Sequence, residues 1–140
     1  MRYYASAICD CVANMFLFTF ICQGYDNCQT WLKMYARLCE KFATLYEEFR
    51  YVYDNLSPHK KSRFNQISSS IPKDGITENA LFYLSKYLND HHRRKCIVLI
   101  DEYDHPLDVA YRYQYYEQAC SFFTFLFGEL LKVSIFFRFP

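Results

Sequence analysis

A run of branched apolar residues that ends in two acids is the feature that most restricts what this chain can fold into. Residues 96–100 read Cys-Ile-Val-Leu-Ile, and Asp101 and Glu102 follow them directly. A strand without polar positions is typical of a parallel sheet that is covered on both faces, so it predicts an α/β fold. The apolar run from Phe16 to Cys22 predicts a second strand of the same kind.

Between these two runs lies the most regular periodicity in the sequence. Apolar residues recur at spacings of four and three along one face, and they are Trp31, Tyr35, Leu38, Phe42, Leu45, Phe49, Val52 and Leu56. The spacing predicts one unbroken helix of about seven turns. A coiled-coil seam would show the same repeat, but aromatics at half of its positions are too bulky for a simple dimer. Packing within the chain is therefore favoured.

Capping residues place the next two helices. Ser57 is a good N-cap and Pro58 suits a first helical position, so they end the long helix and start another. Thr77 is predicted to cap a helix that runs to about His91. The inward face of that helix consists of Leu81, Leu84 and Leu88.

The segment after the acids is predicted to be a loop over residues 101–107, followed by a helix from about Asp108 or Gln114 to Lys132. One stripe of that helix is apolar and contains Tyr116, Ala119, Phe123, Leu126 and Leu130. Residues 133–139 are predicted to begin a strand. Strands separated by helices in this order predict a parallel α/β sheet.

The charge balance excludes a globally basic or acidic protein. Sixteen Lys and Arg face 15 Asp and Glu, which gives a net charge of +1 and no overall field that steers the chain to nucleic acid or anionic lipid. Two short basic clusters occur at 59–63 and 91–95. The second is typical of cations at a helix C-terminus, and no stacking aromatics interleave with its charges in the sequence. We therefore expect no nucleic-acid surface there.

Cysteine usage and one apolar run bear on localisation. The seven cysteines form no C-x-x-C pair and no zinc spacing, which indicates reduced thiols in an intracellular protein. Residues Val12 to Cys22 are apolar, but they reach only about half of the ~20 residues that a membrane-spanning helix requires. A buried strand is favoured and no membrane is expected as a partner. Secretion or membrane association through this run is the alternative.

The two acids after the strand have the form of a Walker B element. A strand in a parallel sheet delivers its last residues to the edge where ligands bind. An acid there can hold the water shell of Mg²⁺, and the next can orient an attacking water, which makes Asp101 the metal candidate and Glu102 the catalytic candidate. Buried strands also end in acids for structural reasons alone. Asp104, His105 and Asp108 enlarge the cluster, so a free-standing metal site is a further alternative.

The longer string is more specific. Residues 97–107 read IVLIDEYDHPL, and Ala110-Tyr111 and Tyr115-Tyr116-Glu117 follow. This resembles the AAA-ATPase-like domain family, whose signature is VIVLIDEYDxPL followed by an alanine and a tyrosine pair. Segments 81–88 and 45–48 resemble its two preceding helices, so the resemblance covers about residues 15–132 and leaves a divergent tail at 133–140.

The resemblance implies a predicted P-loop ATPase that uses Mg²⁺ and ATP. It makes Asp101 the Mg²⁺-associated acid and Glu102 the catalytic acid, and it adds Asp104, which matches the family string, to the cofactor-binding residues. The fold it implies is an incomplete P-loop NTPase-like three-layer parallel sheet with flanking helices, formed by a single partial domain over residues 1–140.

One departure from the family bears directly on activity. A Walker A loop reads G-x-x-x-x-G-K-S/T, and none of the glycines at 24, 75 and 128 begins one. Without its backbone amides and Lys, most phosphate contacts are lost, so we expect very weak or absent ATP hydrolysis by this chain in isolation.

Two functions therefore remain open from the sequence. The chain is either a fragment or degraded copy of an ATPase domain, or a non-enzymatic interaction module that uses exposed aromatic helix faces, including residues 31–56. The expected partner is the missing remainder of the domain or another protein chain. Many members of the family carry a nuclease domain, and nucleic acid is expected as a partner only through such a domain, which is absent here.

Overall fold

A computed structural model of the chain describes residues 16–132 and 135–139. Within these ranges three strands form one parallel sheet in the order β1-β2-β3. The strands are β1 (Phe16–Ile21), β2 (Cys96–Asp101) and β3 (Ile135–Phe139). The predicted α/β class, both predicted apolar strands and the strand near the end of the chain are confirmed.

Five α-helices connect the strands in the described part of the chain. Between β1 and β2 lie α1 (Trp31–Glu48), α2 (Pro58–Ser68) and α3 (Ala80–His92). Between β2 and β3 lie α4 (His105–Arg112) and α5 (Tyr116–Leu131). Two short 3₁₀ helices cover Arg50–Asn55 and Thr77–Asn79.

The prediction of one unbroken helix to Leu56 is wrong. Helix α1 ends at Glu48, and the chain continues as the 3₁₀ helix Arg50–Asn55. The apolar spacing did not reveal the break, because a step of three from Phe49 to Val52 suits three residues per turn as well as 3.6. Val52 is buried in the 3₁₀ helix, as its place on the apolar face predicted.

The apolar face of α1 packs within the chain, as its aromatics predicted. Leu38 and Phe42 are fully buried. The Phe42 ring stacks on Phe20 of β1 at 5.4 Å, and Phe49 contacts Phe18 edge-on at 5.9 Å. The helix face over residues 31–56 that was proposed to bind a partner is therefore largely buried in the core of this chain.

Of the three predicted helix starts, the one at Ser57 is confirmed, the one at Thr77 is wrong, and the third is confirmed only in its later alternative. Ser57 caps α2 by accepting a hydrogen bond from the Lys60 N–H at 3.5 Å. Thr77 does not cap α3, because it is buried in the 3₁₀ turn and accepts from the Lys73 N–H at 3.0 Å. The single helix predicted from about Asp108 or Gln114 is two helices. Helix α4 begins at His105, since the Pro of residue 106 fits its first turn, and α5 begins at Tyr116, within two residues of the Gln114 alternative.

The inward stripes of α3 and α5 are confirmed with one exception. Tyr116, which was placed on the stripe of α5, is 43% exposed. The buried stripe begins one residue earlier, at Tyr115, which is 5% exposed and belongs to the core. The buried members of the two stripes are Leu81, Leu84, Leu88, Ala119, Phe123, Leu126 and Leu130.

The helices cover one face of the sheet. Phe18, Phe20, Val98 and Ile100 belong to a single hydrophobic cluster to which all five helices contribute. Ile97 and Leu99 are also buried but lie outside that cluster, as expected for the opposite face of β2. The described residues thus show two layers, and a three-layer arrangement is not shown.

Strand β1 differs from the expectation that both of its faces are buried. Phe18 and Phe20 are buried, whereas Thr19 and Ile21 are only half-buried. The reason is its place at an outer position of the described sheet, while β2 has a neighbour on each side and is buried throughout residues 96–100. A central strand is enclosed more completely than an outer one.

The apolar run from Val12 enters β1 at Phe16, and residues 12–15 lie outside the described ranges, as do Cys9 and Cys11. No helix of the described ranges is long and apolar enough to cross a membrane. The other five cysteines are free thiols, of which Cys120 alone among them is not buried.

Candidate functional site

Asp101 is the last residue of β2 and lies at the carboxyl edge of the parallel sheet. It is in register with Ile21 of β1 and with Phe139 of β3. The Cys22 N–H donates a hydrogen bond to the Asp101 carbonyl at 2.8 Å, which extends the pairing one residue past β1. A central strand therefore fixes the backbone of Asp101 at the edge where ligands bind in open parallel sheets.

The Asp101 carboxylate is available to a ligand. Its position in the alternation of β2 puts it on the face of Ile97 and Leu99, opposite the helical core. The side chain is half-buried, and no hydrogen bond or ion pair joins it to another residue of the described ranges. A carboxylate that is partly desolvated and unpaired is an efficient ligand for a cation.

Glu102 adopts a backbone conformation that is unusual for a residue with a side chain. Its φ is +56°, in the left-handed region. The Glu102 carbonyl accepts a hydrogen bond from the His105 N–H at 3.1 Å, which closes a turn between β2 and α4. Left-handed geometry costs a non-glycine residue about 1–2 kcal/mol, and such strain concentrates at functional sites. Nothing in the sequence signalled it.

The start of α4 holds the next polar residues. Asp104 is exposed, its side chain makes no capping bond, and its carbonyl accepts from the Asp108 N–H at 3.0 Å. The His105 ring is half-buried and lies 6.2 Å from the ring of Tyr25. Its Nε2 is 3.7 Å from Asp26 Oδ1, which permits electrostatic attraction but is too long for a hydrogen bond.

Asp26 was missed by sequence reasoning, which treated residues 23–27 only as a turn. That turn follows β1, and it brings the Asp26 carboxylate to within 4.0 Å of Arg112 Nη2 as well as close to His105. The proximity arises because β1 and β2 are adjacent and parallel, so the segments after both strands meet at one edge. Only the strand pairing, and no motif, could have revealed it.

A half-buried cation lies beside the end of β1. Lys41 Nζ is 5.2 Å from the centre of the Tyr25 ring, and burial, followed by the nearby Arg37, lowers the pKa of Lys41. Burial raises the pKa of the Cys22 thiol to about 12, a shift that Lys41 opposes and Asp101 reinforces. Cys22 thus lies within electrostatic reach of both charges.

Two predictions about this edge have different outcomes. The placement of Asp101 and Glu102 at the end of a buried strand is confirmed, whereas their chemical roles and that of Asp104 stay predictions. Within the described ranges no group of three or more His, Cys, Asp or Glu side chains is positioned to hold a metal ion. The alternative of a free-standing metal site with His105 and Asp108 is therefore not supported by the geometry.

Comparison with known proteins gives one match. A family model described as AAA-ATPase-like, predicted AAA-ATPase, matches residues 10–139. This range includes the whole described sheet and the acids at its carboxyl edge. No curated protein and no solved structure matches the chain.

Proposed function

Because the chain belongs to the AAA-ATPase-like family of predicted ATPases, we propose that its sheet edge is the Walker B part of a Mg·ATP site. The observation that carries the proposal is the position of β2. It is the central strand of a parallel sheet, it is buried throughout residues 96–100, and it ends in Asp101 and Glu102. Such a strand holds two carboxylates rigidly at a ligand-binding edge.

The donor set fits magnesium bound with a nucleotide. Mg²⁺ keeps several waters and takes one or two carboxylates together with substrate phosphates, rather than a cage made wholly of protein. The unpaired Asp101 carboxylate meets that requirement, and the lack of a three-ligand cluster in the described ranges agrees with it. Bound Mg²⁺ would neutralise charge on the phosphate oxygens. Asp101 would hold the waters around such an ion by accepting their hydrogen bonds.

Glu102 is the residue that we assign to the attacking water. A carboxylate that accepts a hydrogen bond from water orients it and withdraws its proton as the oxygen attacks. The left-handed turn redirects the chain directly after the strand, so Glu102 and Asp101 need not point to opposite faces as successive strand residues do. Asp104, exposed at the start of α4, is assigned a supporting contact to the cofactor through water.

The phosphate-binding loop of this site comes from outside the 140 residues. No G-x-x-x-x-G-K-S/T string occurs among them, and a carboxylate edge alone repels ATP unless Mg²⁺ mediates. Strands β1 and β3 occupy the outer positions of the described sheet. A further parallel strand added beside either of them would bring its own loop to the same carboxyl edge. The remainder of the domain or another chain is thus the proposed partner.

Nucleotide-dependent stabilisation tests the proposal. For a weak site with a Kd near 1 mM, about 10 mM Mg·ATP stabilises the folded chain by roughly 1.4 kcal/mol. We expect this stabilisation in the wild type and its loss in Asp101→Asn. It should be retained in the control Asp108→Asn, which removes an exposed carboxylate from helix α4. Equal shifts in the wild type and Asp101→Asn would refute the assignment of Asp101.

A second function, protein interaction, is favoured by a different surface from the one first considered. Tyr111 is 73% exposed, and Tyr116 and Phe125 are 43% and 46% exposed on the neighbouring helix α5. The rings of Tyr111 and Tyr116 are in edge contact at 6.2 Å. Sedimentation velocity over a hundredfold concentration range separates this function from the first. Self-association that Tyr111→Ser abolishes, without any Mg·ATP shift, would favour an interaction module.

A further inference from the structure

The fold joins the two basic clusters that are separate in the sequence. Lys60 of α2 lies 3.9 Å from Asp90 of α3. A cavity of about 310 Å³ between the two helices is lined by Lys60, His91 and Arg93 among others. Lys60 of the first cluster and Arg93 of the second therefore line one cavity, and Cys96 begins β2 three residues after Arg93. We call Lys60, Lys61, Arg93, Arg94 and Lys95 the basic surface.

Little negative charge compensates the basic surface. Among the described residues only its Lys60 lies within 4.0 Å of a carboxylate, and that carboxylate is the largely exposed Asp90. Lys61, Arg93, Arg94 and Lys95 have no such partner in the same ranges. Arg93, Arg94 and Lys95 are exposed to solvent, and Lys60 and Lys61 are half-buried. A group of five cations with one directly paired carboxylate produces a local positive potential that the net charge of the chain does not reveal.

Aromatic rings that the sequence did not place near these charges surround them in the fold. Tyr51, which is 46% exposed, bonds its hydroxyl to His92 Nε2 at 2.8 Å and lies 5.2 Å from the His91 ring. Lys61 Nζ lies 5.3 Å from the centre of the Tyr53 ring. The 3₁₀ helix after α1 supplies both tyrosines. The sequence predicted no nucleic-acid surface because no aromatic residues interleave with these charges. In the fold, aromatic residues from another segment lie beside them.

The backbone of Arg93 lies in the left-handed region. Arg93 ends α3 with φ +53°, a position for which glycine is strongly preferred. An arginine there carries strain that a glycine would relieve. Its charge complements the helix dipole, so a cation is favoured at this helix end.

We propose that the basic surface binds the phosphate backbone of nucleic acid. Exposed Lys and Arg neutralise phosphates, and the ring of Tyr51, which is 46% exposed, offers an aromatic contact against which a base or sugar can pack. The proposal is independent of the ATP site, which lies about 17 Å away at the other end of the six-residue strand β2. Nucleic acid is favoured over an anionic membrane because, in the described part of the chain, no large aliphatic side chain is exposed beside these cations to insert into lipid.

Fluorescence anisotropy with a labelled 20-base-pair DNA duplex tests the proposal. If all five cations contact phosphates, log Kobs falls with log salt at a slope of about −4.5, so affinity drops up to about 500-fold between 50 and 200 mM NaCl. The variant Arg93→Gly/Arg94→Ala should weaken binding at least tenfold and reduce the slope by about two. The control Lys33→Ala/Lys132→Ala removes the same charge elsewhere and should leave both unchanged.

Loss of DNA binding through misfolding of this variant is not expected, because Arg93→Gly relieves the strained backbone and should not destabilise the chain. Circular dichroism and the urea midpoint verify this for each variant. Equal DNA affinity for the wild type and Arg93→Gly/Arg94→Ala would overturn the proposal. So would vesicles containing phosphatidylserine that bind through the basic surface while the duplex does not, since the partner would then be a membrane.

Discussion

Replacing Glu102 by glycine and by alanine separates the backbone strain at this residue from the chemistry of its carboxylate. Both substitutions remove the carboxylate, but only glycine accepts φ +56° without strain. Left-handed geometry destabilises a residue with a Cβ by about 1–2 kcal/mol. The greater freedom of glycine in the unfolded chain lowers the advantage of the glycine variant by about 0.4–1 kcal/mol. Glu102→Gly should therefore be more stable than Glu102→Ala by about 1 kcal/mol.

Urea unfolding followed by circular dichroism measures this difference, provided that the transition is two-state and the two variants share one slope. A difference of about 1 kcal/mol corresponds to roughly 3–4 °C in Tm for a chain of this size. Gln114 is the matched control, because it is exposed, has φ +65° and carries no carboxylate. Gln114→Gly should exceed Gln114→Ala by a similar amount.

The functional readout then separates the two residues. The assay measures ATP hydrolysis by this chain in complex with the partner that supplies the phosphate-binding loop. If Glu102 orients the attacking water, hydrolysis should be lost in both Glu102 variants and unchanged in Gln114→Gly. The reasoning about strain would be refuted if Glu102→Gly were no more stable than Glu102→Ala while the Gln114 pair behaved as expected. The assignment of Glu102 would be refuted if its glycine variant hydrolysed ATP at the wild-type rate.

Three further predictions concern the core and its thiols. Tyr46→Phe should destabilise the chain by about 1 kcal/mol in urea unfolding, because the fully buried hydroxyl donates a hydrogen bond to the Ala80 carbonyl; an unchanged midpoint would contradict this. Burial raises the pKa values of Cys22 and Cys96 from 9.0 to about 12, so above pH 9 the unfolded chain loses protons that the folded chain keeps. Stability should fall as pH rises from 9 to 12, and a constant urea midpoint up to pH 11 would disprove it. Cys120, which is half-buried, should react with a maleimide before Cys22 and Cys96 in native protein, as peptide mass mapping would show; simultaneous labelling would refute that order.

The parts of the fold that the sequence predicted well are those in which one physical effect dominates. The run at 96–100 leaves no polar position, so it can only be a strand or helix enclosed on all sides, and its length favours a strand. Ser57 with Pro58 specifies a helix start through two local effects that agree. Neither prediction required knowledge of distant residues.

The errors arose where two local geometries share one pattern. Spacings of three and four continue from α1 into the 3₁₀ helix, so periodicity could not locate the end at Glu48. Thr77 carries a hydroxyl suited to a cap, but the chain uses it inside a 3₁₀ turn to accept from the Lys73 N–H. In both cases the local signal was genuine and tertiary packing decided between its two uses.

The candidate site shows the same limit more sharply. Asp101 and Glu102 were predictable because they adjoin the strand that positions them, whereas Asp26 and Lys41 reach the same edge only through the pairing of β1 with β2 and the packing of α1. The left-handed backbone of Glu102 has no sequence signal, since glycine is absent. A motif therefore identifies the residues on its own strand but not those that the fold adds from elsewhere.

The distribution of charge in the fold, like the geometry of the site, was not predictable from the sequence. A net charge of +1 argued against electrostatic attraction to any polyanion, and that argument is sound for a chain whose charges are evenly mixed. The fold does not mix them, because β2 has the basic surface before its first residue and two acids at its end. At physiological ionic strength the screening length is about 8 Å, much shorter than the roughly 17 Å strand, so each end interacts with its own ligand almost independently.

A phosphate polymer at one end and a metal-bound nucleotide at the other are consequently compatible, and removing the acids should leave DNA affinity nearly unchanged. An Asp101→Asn variant that bound duplex DNA severalfold more tightly would show that the two ends are electrostatically coupled and that this separation fails.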